Sequence, residues 1–321
     1  MARITVVSPM YNEEQSIASF LEALILVLSA CTTHYEIVLV DDGSTDQSFH
    51  VARTIAEQNE NLRIVRLSRN YGKEIAMTAG LDRSTGDYVI LMDSDLQDPP
   101  ELIPALLDKI SEGYDMVYAA RQNRHGETWF NRASSKMFYR VASRLNGYSF
   151  PENAGDFRIF SRRGLNLLIE LREHNRSLKA LYSYVGYHVG SVPFDRPRRS
   201  SGRSKYNYLK RIEDGLDATI SFSTRPLRLM SLASLGVSLA AFLYAISVFV
   251  QKIFFGASIT PGWASLMLVM TVMFSVLFFF LALLSEYVGR TLIESKQRPL
   301  YYVREEFCSG QSNSTKAVEQ V

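Results

Sequence analysis

Only two cysteines occur in the 321 residues, Cys31 and Cys308, and they imply no disulfide framework. The five histidines lack close ligand spacing, so they read as ordinary polar residues. Neither G-x-G-x-x-G nor G-x-x-x-x-G-K-[ST] is present, which removes the two commonest nucleotide fingerprints. The formal net charge of +2 is too small to argue for a nucleic-acid partner. No apolar leader precedes the first strand pattern, since Met1-Ala2-Arg3-Ile4-Thr5 runs directly into it. The expectation is therefore a chain without a secretory signal, whose first domain stays in the cytoplasm.

Charge is also missing from two long stretches, Leu229–Val250 and Thr260–Ser285. Each is about 20 residues, enough to cross a hydrocarbon core of about 30 Å as a helix. Two buried core helices are the alternative, but sustained Leu, Phe, Met and Val without a polar face favours the membrane. Arg225 and Arg228 precede the first stretch, and Arg290, Lys296 and Arg298 follow the second, while the intervening segment offers only Lys252. The positive-inside bias puts both chain ends on the cytoplasmic side.

The front two-thirds alternates strand-like runs with helical patterns. Ile4–Ser8, Ile37–Val40, Arg63–Leu67, Tyr88–Met92 and Met116–Ala120 read as strands. Glu14–Ser29, Asp46–Glu57, Glu74–Leu81 and Pro100–Ser111 read as the helices between them. Such alternation predicts an α/β fold with a mostly parallel sheet covered on both faces. Thr128–Leu145 is an amphipathic helix pattern, and Asp156–Phe160 a short strand entering a helix near Arg162. Asp195–Lys205 is polar, rich in Arg and Ser, and expected as a mobile loop; Tyr206–Phe222 is expected as an interfacial amphipathic helix.

Four strand ends carry polar loops, and ligands of α/β proteins bind at such ends. Asp93-Ser94-Asp95 ends an apolar strand in two carboxylates, with Asp98 following. Two acids at this spacing suit a hard divalent cation that also holds a diphosphate. They equally suit an acidic turn before Pro99-Pro100. Asp41-Asp42-Gly43-Ser44-Thr45-Asp46 reads as a glycine turn and cap, or as acceptors for a base or ribose. Arg69-Asn70-Tyr71-Gly72-Lys73-Glu74 is a solvated turn or a basic group reaching a diphosphate. Pro9-Met10-Tyr11-Asn12-Glu13-Glu14 starts a helix with Asn12 as N-cap.

As an ordered set, P-M-Y-N-E-E, V-D-D-G-S-T-D, R-N-Y-G-K-E, T-G-D-Y-V-I-L-M-D-S-D-L-Q-D-P-P and G-D-F-R resemble the family 2 glycosyltransferases of the GT-A fold. With two spans behind them, and E-Y-V-G-R after the second, the chain resembles the polyprenyl-phosphate glycosyltransferases. These are relatives of bactoprenol glucosyltransferase and dolichol-phosphate mannose synthase. The resemblance implies a GT-A catalytic domain over residues 1–205 with an acceptor loop, and amphipathic juxtamembrane helices over 206–228. It further implies a two-helix transmembrane hairpin over 229–285 and a cytoplasmic tail over 286–321.

The same resemblance assigns residues. Pro9, Tyr11, Glu13, Asp41 and Asp42 match positions lining the nucleoside. Asp93 and Asp95 match the D-x-D pair that, with Gln97, approaches Mg²⁺ or Mn²⁺ and the donor diphosphate. Lys73 matches a basic position facing the donor. Asp156 and Arg158 fall near the sugar, and Asp95, Asp156, Arg158 and Lys205 form the implied catalytic set. Arg121, Arg132 and Ser135 match the region of the acceptor phosphate, and Arg203 and Lys205 a basic loop that closes over it. Arg196, Arg198, Arg199 and Arg203 also suit attraction to anionic lipid headgroups, at ~1 kcal/mol each.

The implied activity is transfer of one sugar from a nucleotide donor to polyprenyl (undecaprenyl) phosphate, inverting to a β-linked product, at the bacterial inner membrane. UDP-glucose is the first choice of donor, because Lys73-Glu74 and Asp156-Phe157-Arg158 look closer to the bactoprenol glucosyltransferases than to the aminoarabinose transferases. Self-association, a downstream flippase and a membrane glycosyltransferase are the implied partners. A processive polysaccharide synthase is the rival enzyme, but Q-x-x-R-W and further spans are absent. A non-enzymatic membrane scaffold is the rival of another class, and the intact Asp93/Asp95 pair argues against it.

Overall fold

The structure is a computed structural model that describes residues 2–121, 154–194, 225–255 and 262–309. The chain divides into two compact units, and the residues from Arg298 onward belong with the first.

In the first unit β1 (Ile4–Met10), β2 (Tyr35–Asp41), β3 (Leu62–Leu67) and β4 (Tyr88–Leu91) alternate with α1 (Ile17–Cys31), α2 (Ser48–Ala56) and α3 (Lys73–Arg83). A 3₁₀ turn at Pro100–Leu102 leads into α4 (Ile103–Ser111) and β5 (Met116–Arg121). β6 (Ala154–Ser161), α5 (Arg162–Ile169), α6 (Leu178–Val185) and β7 (Val189–Phe194) follow, and β8 (Val303–Cys308) returns much later in the chain. The strands form one eight-stranded sheet ordered β7-β5-β6-β4-β1-β2-β3-β8.

β1 lies between β2 and β4 and is parallel to both, while β3 extends the parallel set beyond β2. Strands covered on both faces are apolar throughout rather than alternating, and every residue of β1 and β2 is buried. α1 supports this core with Ile17, Phe20, Leu21, Leu24 and Leu28, the three-and-four spacing of a buried helical stripe. α3 packs close because Gly80 has no side chain: a Cβ there would collide with Val7 Cγ1 and lie 3.0 Å from Val40 Cγ2.

β6 is antiparallel to both β4 and β5, and β8 is antiparallel to β3 at the opposite edge. The strands read from the sequence are present, all of them longer than expected except β4, which ends at Leu91. Asn12 does not cap α1, which begins five residues later; its side-chain oxygen accepts instead from Thr45 N at 2.9 Å. α6, β7 and β8 were not foreseen. β8 makes part of the expected tail an edge strand of the sheet.

The second unit contains α7 (Arg225–Phe255) and α8 (Trp263–Ser295). Val272–Ser295 is long and apolar enough to cross a membrane, whereas Ser231–Tyr244 in α7 is a shorter apolar stretch. The sequence suggests two spans; among the described residues one helix meets the requirement. Ser231, Ser234, Gly236 and Ser238 dilute the hydropathy of α7. The expected helices at Thr128–Leu145 and Tyr206–Phe222, and the loop at Asp195–Lys205, lie outside the described residues.

Candidate active site

Because β1 to β4 are parallel, their carboxyl ends and the loops that follow share one edge of the sheet. The antiparallel register of β4 and β6 pairs Leu91 with Arg158. Continued by two residues, that register sets Asp93 against Asp156. Two carboxylates so placed repel, and Lys73, the first residue of α3, resolves the conflict. Its Nζ lies 2.7 Å from Asp93 Oδ1 and 2.6 Å from Asp156 Oδ2. Lys179, in the first turn of α6, approaches Asp156 Oδ1 from another side at 3.7 Å.

The electrostatics follow from this sharing. Burial works against the Lys73 charge, but Asp93 and Asp156 outweigh it and raise its pKa above the ordinary lysine value. Burial likewise opposes ionisation of Asp156, yet Lys179, Lys73 and Arg158 hold its carboxyl well below the usual range. For Asp93, burial and the neighbouring Asp156 and Asp95 push upward against Lys73. Of these two acids, Asp156 is the one held anionic by three surrounding cations.

Arg158 is enclosed at 1% exposure. Its Cζ sits 3.8 Å above the centre of the Tyr182 ring, Nη2 donates to Gly155 O, and Nη1 is 3.6 Å from Met116 Sδ. It reaches Asp156 through its charge from inside the fold. Glu74, beside Lys73, accepts from Leu178 N at 3.0 Å and so fixes the start of the helix that carries Lys179. Sequence reasoning missed Glu74 and Lys179 as members of this cluster. Glu74 stood in the R-N-Y-G-K-E motif; Lys179 had no local signal.

The other loops are tied to one another. Asp42 is buried, and its two oxygens accept from Tyr71 N at 2.8 Å and Gly72 N at 2.9 Å, anchoring the loop ahead of Lys73. Burial raises the Asp42 pKa despite those two donors. Asp41 accepts from Ser44 N at 2.9 Å and pairs with Arg66 Nε at 3.1 Å. Gly43 has φ +71°, and a Cβ there would come 2.6 Å from the Arg69 carbonyl carbon, so the two loops approach backbone to backbone. Ser44 Oγ accepts from Asn12 N, and Ser48 Oγ from Glu13 N at 2.7 Å. The Pro9 carbonyl accepts from Ser94 Oγ at 2.9 Å, and Tyr11, two residues on, is 44% exposed.

Asp95 accepts from Gln97 N at 3.1 Å and from Gln97 Nε2 at 2.7 Å, which leaves Oε1 as the remaining polar atom of the Gln97 side chain. Asp93, Asp95 and Gln97 thus offer hard oxygen donors, the chemistry that Mg²⁺ or Mn²⁺ requires. No group of three or more His, Cys, Asp or Glu side chains placed to hold a metal occurs among the described residues. Two carboxylates fit an ion whose coordination is completed by substrate phosphates rather than a closed protein cage. Arg121 ends β5 in register with Phe194 of β7. Arg132, Ser135, Arg203 and Lys205 lie outside the described residues.

Known proteins share this architecture. The glycosyl transferase family 2 model matches residues 5–168. An uncharacterized glycosyltransferase of Synechocystis sp. is 42% identical over 300 residues, 94% of each chain. The bactoprenol glucosyl transferase of Shigella phage SfV is 35% identical over 304 residues, covering 95% of this chain and 99% of its own. The solved mannosyltransferase PcManGT of Pyrobaculum calidifontis, in complex with GDP-Man and Mn²⁺, has a TM-score of 0.50 at 17% identity, covering 92% of this chain and 87% of its own. The fold is accordingly a GT-A-like α/β fold with a mostly parallel sheet. The chain belongs to glycosyl transferase family 2, and it is a glycosyltransferase.

Proposed function

We propose that the protein transfers a single sugar, glucose in the first instance, from a UDP-sugar to polyprenyl (undecaprenyl) phosphate with inversion. The observation that carries this reading is the sheet edge where Lys73 joins Asp93 to Asp156 beside Asp95. An acidic pair next to ammonium groups suits a departing diphosphate beside an electron-poor sugar. The lipid acceptor is supported by the near full-length likeness to the phage bactoprenol glucosyl transferase. Fixing donor and acceptor in line supplies much of the rate.

Pro9, Tyr11, Glu13, Asp41 and Asp42 frame the nucleoside, with Tyr11 offering its ring and the two aspartates holding the loops. Asp93, Asp95 and Gln97 would hold Mg²⁺ or Mn²⁺, which when bound offsets charge on the leaving diphosphate. Lys73 steadies the same diphosphate. Asp156, kept anionic, orients a sugar hydroxyl or supports positive charge at the anomeric carbon, with Arg158 behind it. The acceptor phosphate is anionic at pH 7 and needs no general base. Arg121, Arg132, Ser135, Arg203 and Lys205 position it through charge-assisted hydrogen bonds.

Location at the cytoplasmic face of the bacterial inner membrane is supported by Arg225, Arg228, Arg290, Lys296 and Arg298 flanking the apolar stretches. The chain's connectivity supports both ends lying on one side. β7 and β8 belong to one sheet, so the chain between Phe194 and Val303 leaves and returns on one side. A crossing by α8 therefore needs a second crossing, and α7 is the described helix available for it. Self-association, and handover of the lipid-linked sugar to a flippase and a membrane glycosyltransferase, complete the reading. Purified protein incubated with polyprenyl phosphate and a panel of UDP- and GDP-sugars tests it. UDP-glucose should give the fastest transfer and a β-linked product by NMR; a GDP-sugar preference or an α-linked product overturns donor or stereochemistry.

A further inference from the structure

Glu305 lies on β8, the strand that follows α8, far in sequence from every motif of the active-site edge. In the antiparallel register it stands directly opposite Arg66 on β3. Arg66 Nη1 donates to Glu305 Oε1 at 3.1 Å, and Arg66 Nε pairs with Asp41 Oδ2 at the same distance. The guanidinium is further held over the Phe49 ring, 4.4 Å from its centre. One arginine therefore joins a C-terminal strand to the fully buried carboxylate at the end of β2.

The linkage continues into the loops of the site. Asp41 Oδ1 accepts from Ser44 N, and Ser44 Oγ accepts from Asn12 N at 3.0 Å. Asn12 has φ +54°, a left-handed conformation that asparagine tolerates, and its side-chain oxygen accepts from Thr45 N, which ties the two loops together. Tyr11 and Glu13 flank it. A continuous chain of contacts thus runs from Glu305 through Arg66, Asp41 and Ser44 to the β1 and β2 loops, with Glu305 holding Arg66 from the facing strand. Glu306, the next residue, pairs with Arg63 at 3.6 Å and Arg83 at 3.5 Å, away from Asp41.

We infer that Glu305 is a positioning residue for the donor nucleotide, acting through Arg66, Asp41 and Ser44. The segment after the membrane helix thereby takes part in binding the nucleotide sugar. The inference rests on the assignment of the β1 and β2 loops to the nucleoside. A Glu–Arg pair of this exposure is worth a modest factor, so Glu305→Gln should raise KM for the nucleotide sugar roughly fivefold. The kcat and the KM for the lipid phosphate should stay within about twofold of wild type. Glu306→Gln on the same strand should leave all three unchanged.

Steady-state kinetics of the full-length protein with Glu305→Gln, Glu306→Gln and Arg66→Met decides it, with thermal melts to confirm that each variant is folded. A donor-specific rise in KM for Glu305→Gln and Arg66→Met, absent in Glu306→Gln, supports the inference. Wild-type donor KM in Glu305→Gln alongside a raised value in Arg66→Met overturns the role of Glu305 and leaves the nucleoside assignment standing. Unchanged donor KM in all three folded variants overturns the inference together with that assignment. Equal losses in Glu305→Gln and Glu306→Gln reduce β8 to a structural strand.

Discussion

Lys73 Nζ is held 2.6 Å from Asp156 Oδ2, although 83 residues separate the two in sequence. The same ammonium contacts Asp93, so a single side chain keeps two opposed carboxylates in place. It sits at the start of α3, where the helix dipole disfavours a cation. A positive charge at such a place calls for a reason other than helix stability. Lys73→Met should therefore lower kcat/KM by about 100-fold, the scale of losing one well-placed donor to transition-state charge. Without the ammonium the half-buried Asp93 and Asp156 face each other unscreened, so the thermal midpoint should fall as well. Kinetics and circular dichroism melts on one preparation check both.

Chelation of divalent metal should abolish transfer, and Asp95→Asn should cost about 100-fold or more. Gln97 donates to Asp95 twice, so Gln97→Ala should weaken the metal dependence without abolishing it. The check is activity titrated with Mg²⁺ and Mn²⁺ after EDTA treatment. Full activity in EDTA refutes the assigned role of Asp93 and Asp95.

Glu36 gives the fold a pH dependence separate from catalysis. It is buried, and its Oε1 accepts from Thr5 Oγ1, Thr85 N and Thr85 Oγ1, while Oε2 accepts from Arg3. Burial opposes its charge, but those donors outweigh burial and hold the carboxyl below the ordinary glutamate value. A folded-state pKa below the unfolded one gives stability that is present above about pH 4.3 and lost as pH falls through the folded value. Arg162 and Asp87 also face this site. Glu36→Gln should cost about 1–3 kcal/mol at neutral pH, and the gap to wild type should shrink in acid. Denaturation across about pH 3 to 7 measures it, and a constant gap contradicts the assignment.

Much of this edge was legible because chemistry there coincides with local pattern. Asp41 and Asp93 each end or follow an apolar strand, and Lys73 stands between a glycine and a helical run. What was not legible depends on contacts distant in sequence. Asp42 reads as a ligand-facing acid, yet its two oxygens are engaged by Tyr71 and Gly72. Arg158 shares a strand face with Asp156, but Tyr182 of α6 covers it, a contact distant in sequence. β8 escaped notice because Val303-Arg304-Glu305-Glu306-Phe307-Cys308 is short and charged, as protected edge strands commonly are. Its two glutamates find their partners on β3 and α3, in Arg66, Arg63 and Arg83.

The return of β8 to the sheet also constrains topology. Reporters fused to the two termini should both face the cytoplasm, and cysteines placed at 256–261, between α7 and α8, should react with a membrane-impermeant reagent from the opposite side. A cytoplasmic label at that connection would contradict a hairpin of two crossings.

The proposed reaction moves a sugar onto a lipid phosphate at the edge that Lys73, Asp93, Asp95 and Asp156 form. Full-length protein in detergent, given undecaprenyl phosphate, radiolabelled UDP-glucose and Mg²⁺ or Mn²⁺, tests it in one step. Label should pass into the organic phase with wild-type protein and stay aqueous with Asp95→Asn. Label that stays aqueous with wild type for every nucleotide sugar, or that reaches the lipid equally with Asp95→Asn, would contradict lipid-phosphate transfer at this edge.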